Sequence, residues 1–194
     1  MLISELCESI RAGGQTARLA TADEGDAPGY YVYNMDHLES DLFQSDEPED
    51  LTKINRICTP DEVLTTNTGD LIYCLMNQTA VIVQEKHSGF LLTPNYIKLT
   101  TSWMINKKYL LFVLNCSEDI KNQIGKGSGV SVAKRTSMKS LLDVQIDHLP
   151  DLKMQETIGN TYYQQLHVSY LREKSKQLKE QFVIGALRKA AGIN

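Results

Sequence analysis

Residues 121–139, "KNQIGKGSGVSVAKRTSMK", carry Lys121, Lys126, Lys134, Arg135 and Lys139 and no acid at all. Such a run suits a polyanion, because a phosphate backbone responds to charge within about a Debye length, roughly 8 Å, and not to the charge of the whole chain. The whole chain is acidic, at −4, but unevenly so. Residues 1–60 hold 4 Lys+Arg against 12 Asp+Glu, and the remainder holds 16 against 12. Other chemistries find less support. Cys7, Cys58, Cys74 and Cys116 stand far apart with no close pair, which argues against a zinc ribbon, a redox motif or a disulfide framework and for buried, reduced thiols. His37, His87, His148 and His167 sit in no signature that would make one of them the base for a cysteine nucleophile. There is no phosphate-binding glycine loop ending in Lys-Ser/Thr, no cluster of metal ligands and no Asn-Pro-Pro-aromatic motif of the methyltransferase kind. No nucleophilic, metal or cofactor chemistry is therefore expected from these residues.

The elements that must hold the basic run follow from composition and periodicity. With 194 residues, 42% hydrophobic and 23% charged, the chain has room for one globular domain and an extension. It has no apolar run of about 18 residues and no signal-peptide pattern at its start, so no membrane association and a cytoplasmic location are expected. The stretch "ISELCESI" fits either a short strand or a first helical turn and breaks at Gly13-Gly14, where a polar, turn-rich loop begins. "YYVYNMDHL" (30–38) reads as a strand ending near Asn34 and Asp36, and the acidic "ESDLFQSDEPED" (39–50) as a solvated face.

From Val63 onward, "VLTTNTGDLIYCLM", "TAVIVQEK" and "FLLTPNYIKLT" are short strands separated by turns at Gly69-Asp70 and at residues 87–89, which predicts an antiparallel or mixed sheet. Asn106 can cap a helix over 107–124, since Leu110, Val113, Leu114, Ser117, Ile120 and Ile124 recur at helical steps and Gly125 can stop it. Leu142, Val144 and Ile146 alternate with polar neighbours as in a half-buried strand, which Pro150 ends. Asp151 then caps a helix from Leu152 to about Lys189, with Gln155 or Glu156 near the position of a capping partner. Its stripe is Ile158, Tyr162, Leu166, Leu171, Leu178, Phe182 and Leu187. Such a helix is about 55 Å long, twice the width of the preceding domain, so half of it projects and its stripe needs a partner.

The junction "IDHLPDLKMQETI", a strand followed by Leu149, Pro150, Leu152, Gln155 and Ile158, resembles the start of the long helix in Type I restriction-modification specificity subunits. "VLTTNTGDLIY", "LTPNYIKL", "KKYLLFVLNC" and "GKGSGVSV" ahead of "LLDVQI" fall in that family's order, so the resemblance covers nearly the whole chain. It implies an α+β fold: a small mixed or antiparallel sheet with a packed helix, forming a target-recognition domain over residues 1–150, then a coiled-coil helix over 151–194. Family members carry two recognition domains and two helices, and this sequence carries one of each, as a natural half-subunit or a fragment would. Double-stranded DNA is the implied ligand, read as a half-site. The helix is implied to dock methylation subunits and, through them, the restriction subunit, so that on this resemblance the chain itself is not a catalyst.

On that resemblance Lys126, Lys134, Arg135 and Lys139 are candidates for phosphate contacts. Gln15, Thr16, Arg18, Asn34, Asn77, Gln78 and Ser128 carry the amide, guanidinium or hydroxyl groups that address base edges. Ile158, Tyr162, Leu166, Leu171, Leu178 and Phe182 are the expected partner face, with a homodimer as its simplest use. Two alternatives stand beside this: a coiled-coil interaction protein that never touches DNA, and a decoy or regulator that displaces a full-length specificity subunit.

Overall fold

The computed structural model describes residues 1–126 and 137–193. Its centre is a four-stranded sheet of β1 (Cys7–Ala12), β4 (Leu71–Cys74), β5 (Thr79–Ile82) and β6 (Tyr96–Thr101), in the order β1-β6-β4-β5. Every neighbouring pair is antiparallel, which resolves the expected mixed or antiparallel sheet. β4 is buried along its whole length, and its residues serve two cores by turns. Leu71 and Tyr73 join Ala80, Ile82, Ile97 and Leu99 on one face, where α1 (Ile3–Leu6), α3 (Lys107–Cys116), α4 (Glu118–Lys126), α5 (Met138–Leu142) and α6 (Leu152–Ala191) pack. Ile72 and Cys74 join Val81 and Tyr96 on the other, under Tyr33, Phe90, Leu92 and Leu38 of α2 (Met35–Phe43). The period-two alternation of a strand is what lets so short a segment supply both. A two-stranded ribbon, β2 (Gly29–Tyr31) with β3 (Arg56–Cys58), lies outside this sheet.

Several expectations change on folding. "ISELCESI" is both things at once, helix α1 leading directly into β1. The strand over 30–38 ends at Tyr31, because Asn34 accepts hydrogen bonds from the amides of Asp36 and His37 and starts α2. Residues 39–50 are not simply a solvated face: Asp41 is fully buried and Ser45 nearly so. The helix over 107–124 is two helices. Asn106 caps the first as expected, accepting from Lys108 and Tyr109, but Ser117 leaves helical geometry at ψ 115 and its hydroxyl accepts from the amide of Ile120, opening α4. A serine free to bond nearby backbone competes with helix continuation, and the apolar repeat survives the break because Ile120 and Ile124 enter the same core. Gly125 does not stop α4, which runs to Lys126.

No strand forms over 142–146 either. Leu142 ends α5, while Val144 and Ile146 alternate inward as the period demands, paired to the chain's own start by Ile3 N to Val144 O (2.9 Å), Ile146 N to Met1 O (2.8 Å) and a single bridge between Leu2 and Gln145. All four cysteines are free, yet only Cys74 is buried; Cys116 is exposed and Cys7 and Cys58 are half-buried.

α6 is one helix of 40 residues, about 60 Å long. Asp151 caps it, accepting from the amide of Met154, and Gly192 closes it in the left-handed conformation at φ 68. No helix among the described residues is long and apolar enough to cross a membrane.

Candidate nucleic-acid interface and projecting arm

Strand register gathers two loops at one end of the sheet. β1 leaves at Ala12, opposite Ile97, and its continuation is held by Gly13 N to Tyr96 O and Gly14 N to Leu92 O, both 3.1 Å. Only glycine fits at 13, since a side chain there would run into the carbonyls of Leu92 and Thr93. The loop then winds into a 3-10 turn over Thr16–Arg18, with Arg18 N bonded to Gln15 O at 3.0 Å. β4 leaves the sheet at Cys74, opposite Tyr96, and returns as β5 at Thr79, so the hairpin tip at 75–78 lies at that same end. Gln78 takes a positive φ of 56 to turn it. Gln15, Thr16, Arg18, Asn77 and Gln78 are thereby brought to one rim, and their side chains make no hydrogen bond to any described residue. Gln15, Arg18 and Asn77 are exposed, and Thr16 and Gln78 half-buried. A group that addresses a base edge needs its hydrogen-bonding capacity free, and among the described residues nothing uses that of these five.

Other expected contacts do not join the rim. The side-chain oxygen of Asn34 is spent on the cap of α2, a structural use that the Asn-x-x-His spacing foreshadows. Lys139 is exposed on α5, which packs on α1 and α4; α1 precedes β1, so this lysine belongs to the opposite end of the sheet. Lys126 is the last residue of α4, and Ser128, Lys134 and Arg135 lie outside the described residues. Asp36 and Glu39 of α2 line a recess with Asn77 and Thr79, which places acid beside the hairpin tip.

The arm is rooted by two residues that sequence reading missed in this role. Gln155, 2% exposed, is not a capping partner: its carbonyl accepts from Asn106 N (2.8 Å) and its amide donates to Pro150 O (2.8 Å) and Met104 O (3.4 Å), tying the start of α6 to the start of α3. One turn on, Gly159 is buried so closely against α3 that an added Cβ would stand 2.5 Å from Tyr109 N. Ile158, Tyr162 and Leu166, expected on the partner face, pack instead on the chain's own core, with Tyr162 edge-on to Phe112.

Farther along, residues 43–46 carry the helix. Gln44 donates to Tyr163 O (2.8 Å), His167 Nδ1 lies 3.3 Å from Phe43 O, Ser45 donates to the Tyr170 hydroxyl (3.1 Å), and both Tyr170 and Lys174 donate to Asp46. Hydrogen bonds from Lys174 and then Tyr170 hold the Asp46 carboxyl below its ordinary range, and the Asp46 bond pushes Lys174 upward. Beyond Lys174 every described residue of the helix is exposed, leaving about 25 Å unsupported. Leu178 and Phe182 are 58% and 77% exposed, joined on that stretch by Val183, Ile184 and Leu187, and Leu171 just before it is 46% exposed.

No protein-family model matches the sequence, and no curated protein matches it. Solved structures do. The HsdS subunit of Thermoanaerobacter tengcongensis superposes over 97% of this chain with a TM-score of 0.58 at 13% identity. A chain from a structure describing complex assembly and conformational transition of the type I R-M system does so over 98%, with a TM-score of 0.59 at 16% identity. The match takes up 48% and 43% of those two chains, so this chain spans less than half their length. At such identities the likeness is one of fold, and that fold is the α+β domain with a long helix found in restriction-modification specificity subunits.

Proposed function

We propose that this chain is a DNA-specificity component of a Type I restriction-modification system, with residues 1–150 reading a half-site and the helix of 151–194 setting its distance from a second one. The observation that carries this reading is the joint one: an α+β domain whose rim holds five polar side chains that bond to no described residue, continued into a 40-residue helix that overshoots the domain and exposes an apolar stripe. Two copies joined through the stripe about a two-fold axis would hold their domains apart and address inverted half-sites separated by a fixed spacer. The flanks of the same helices would dock methylation subunits and, through them, the restriction subunit. Chemistry would reside in those subunits and not in this chain.

Fluorescence anisotropy of the purified protein against a duplex library, at several salt concentrations, tests the reading. Arg18→Ala or Gln15→Ala is expected to cost about 1–3 kcal/mol on the preferred duplex and little on others. Lys134→Ala with Arg135→Ala is expected to weaken all duplexes alike and lower the salt slope by about 0.9 for each phosphate no longer neutralised. Absence of DNA binding even at low salt would overturn the reading and favour an interaction protein, which the acid beside the hairpin tip would suit. Co-expression with methylation subunits separates a specificity component from a decoy, because only the former supports methylation.

A further inference from the structure

The segment that carries the middle of α6 is itself fastened by a buried ionic chain. Tyr33 donates to Asp41 Oδ2 at 2.6 Å, and the amide of Gln84 donates to Asp41 Oδ1 at 2.9 Å. His87 Nδ1 stands 2.7 Å from the same Oδ1, while its Nε2 meets Glu49, so two carboxylates grip one fully buried imidazole from opposite sides. A second imidazole, His37, lies 5.0 Å from the first, ring centre to ring centre. Its Nδ1 accepts from Asn34 N at 3.0 Å, which fixes the proton on Nε2, 3.6 Å from Glu49. Lys86 lies 3.5 Å from Glu49 and donates to the carbonyl of Glu47. Asp36 of α2 acts on His37, Tyr96 of β6 stands edge-on to Tyr33, and Tyr163 of α6 feels Asp41.

We propose that His37 and His87, clamped between Asp41 and Glu49, are a proton-operated latch that fastens residues 44–50 to the domain and so sets how firmly α6 is seated. One histidine must be charged and the other neutral for the latch to close. His87 satisfies both carboxylates only as an imidazolium; without its second proton one carboxylate faces a bare ring nitrogen, and Glu49 loses its anchor. His37 accepts the amide of Asn34 only while neutral; with a second proton it both breaks that bond and sets a cation beside another. Loss of the His87 proton reaches the strap through Glu49, a second proton on His37 reaches it through Asn34 and the start of α2, and the strap holds α6 through Gln44, Ser45 and Asp46.

The titrations run in opposite senses. Burial alone would lower His87, but hydrogen bonding and charge from Asp41, then Glu49, outweigh it and hold the group above its ordinary 6.5. Burial, joined by the charge of His87, pulls His37 below 6.5 despite Glu49. The folded state therefore draws stability from His87 that is complete below 6.5 and lost as pH rises through the raised value. From His37 it draws stability that is complete above 6.5 and lost as pH falls through the lowered value. The latch is firmest near 6.5 and loosens on either side.

Amide hydrogen exchange of the full chain from pH 5 to 9, corrected for intrinsic chemical rates, tests this. Protection of residues 44–50 and 163–174 is expected to peak near pH 6.5 and to fall on both sides, about tenfold for each unit a histidine is shifted, while β4 stays protected. His87→Gln should abolish the alkaline fall and His37→Gln the acid one. Should either variant fail to fold, histidine carbon shifts of the wild type take its place: one ring should titrate above 6.5 and another below. Protection flat across that range, or buried histidines that titrate together at 6.5, would overturn the latch.

Discussion

Replacing Leu178 and Phe182 by Glu tests the use assigned to the projecting half of α6. Full burial of such a side chain contributes about 1.5–3 kcal/mol. These two are 58% and 77% exposed, so a partner has that fraction of their surface still to cover. Scaling one by the other gives roughly 2–4 kcal/mol per helix and about 4–8 kcal/mol for a symmetric pair, before the ordering costs common to any association. At 1.4 kcal/mol per factor of ten, the double variant should weaken self-association at least about a thousandfold. In a two-fold pair the added charges would repel one another and push the same way. Sedimentation velocity between 1 and about 50 micromolar is the assay. A dimeric wild type and a monomeric variant of unchanged circular dichroism are expected, with loss of binding to a bipartite inverted repeat and survival of weak, sequence-independent DNA affinity. A wild type that sediments as a monomer throughout, or a variant as dimeric as its parent, would refute the reasoning.

Gly159→Ala sets two known effects against each other: alanine favours an isolated helix by about 1 kcal/mol, but here its methyl meets the Tyr109 amide, and a net loss of about 1–3 kcal/mol in urea denaturation is expected. Gln155→Leu keeps the bulk and removes the bonds to Asn106, Met104 and Pro150, so a loss of about 1–3 kcal/mol should appear, together with faster amide exchange in the first two turns of α6. Asn106→Ala should cost about 0.5–2 kcal/mol by chemical denaturation, since it uncaps α3 at Lys108 and Tyr109.

What could be read from the sequence was whatever depends on neighbours along the chain. Asp151 after Pro150 announces α6, Asn106 announces α3, and Gly69-Asp70 marks the entry to β4, because a cap or turn acts within four residues. The apolar set at 142–146 was also legible as an alternation, but not its partner, since Ile3 and Met1 lie more than 140 residues away. Distance along the chain likewise hid the latch: Asp41, Glu49 and His87 are unremarkable until α2 and the turn before Phe90 converge on β5. Taken by sequence alone Gly159 is a poor helix former, though a glycine on the buried face of an otherwise strong helix is a sign of close approach. Of the candidate site, the loop at 15–18 and the tip at 77–78 are each legible by themselves. That they share a rim follows from strand register, which the separate segments do not state.

The chain's first three residues run beside residues 144–146, with the amino group of Met1 donating to Ile146 O at 2.9 Å, five residues before the cap of α6. Residues 1–3 and 144–146 thus meet at the root of the arm. Changes in the loops between them would leave the point from which the arm departs where these hydrogen bonds fix it. Under the proposed function, which letters are read and how far apart they are read would be independent variables, one held in the domain and the other in the length of a single helix.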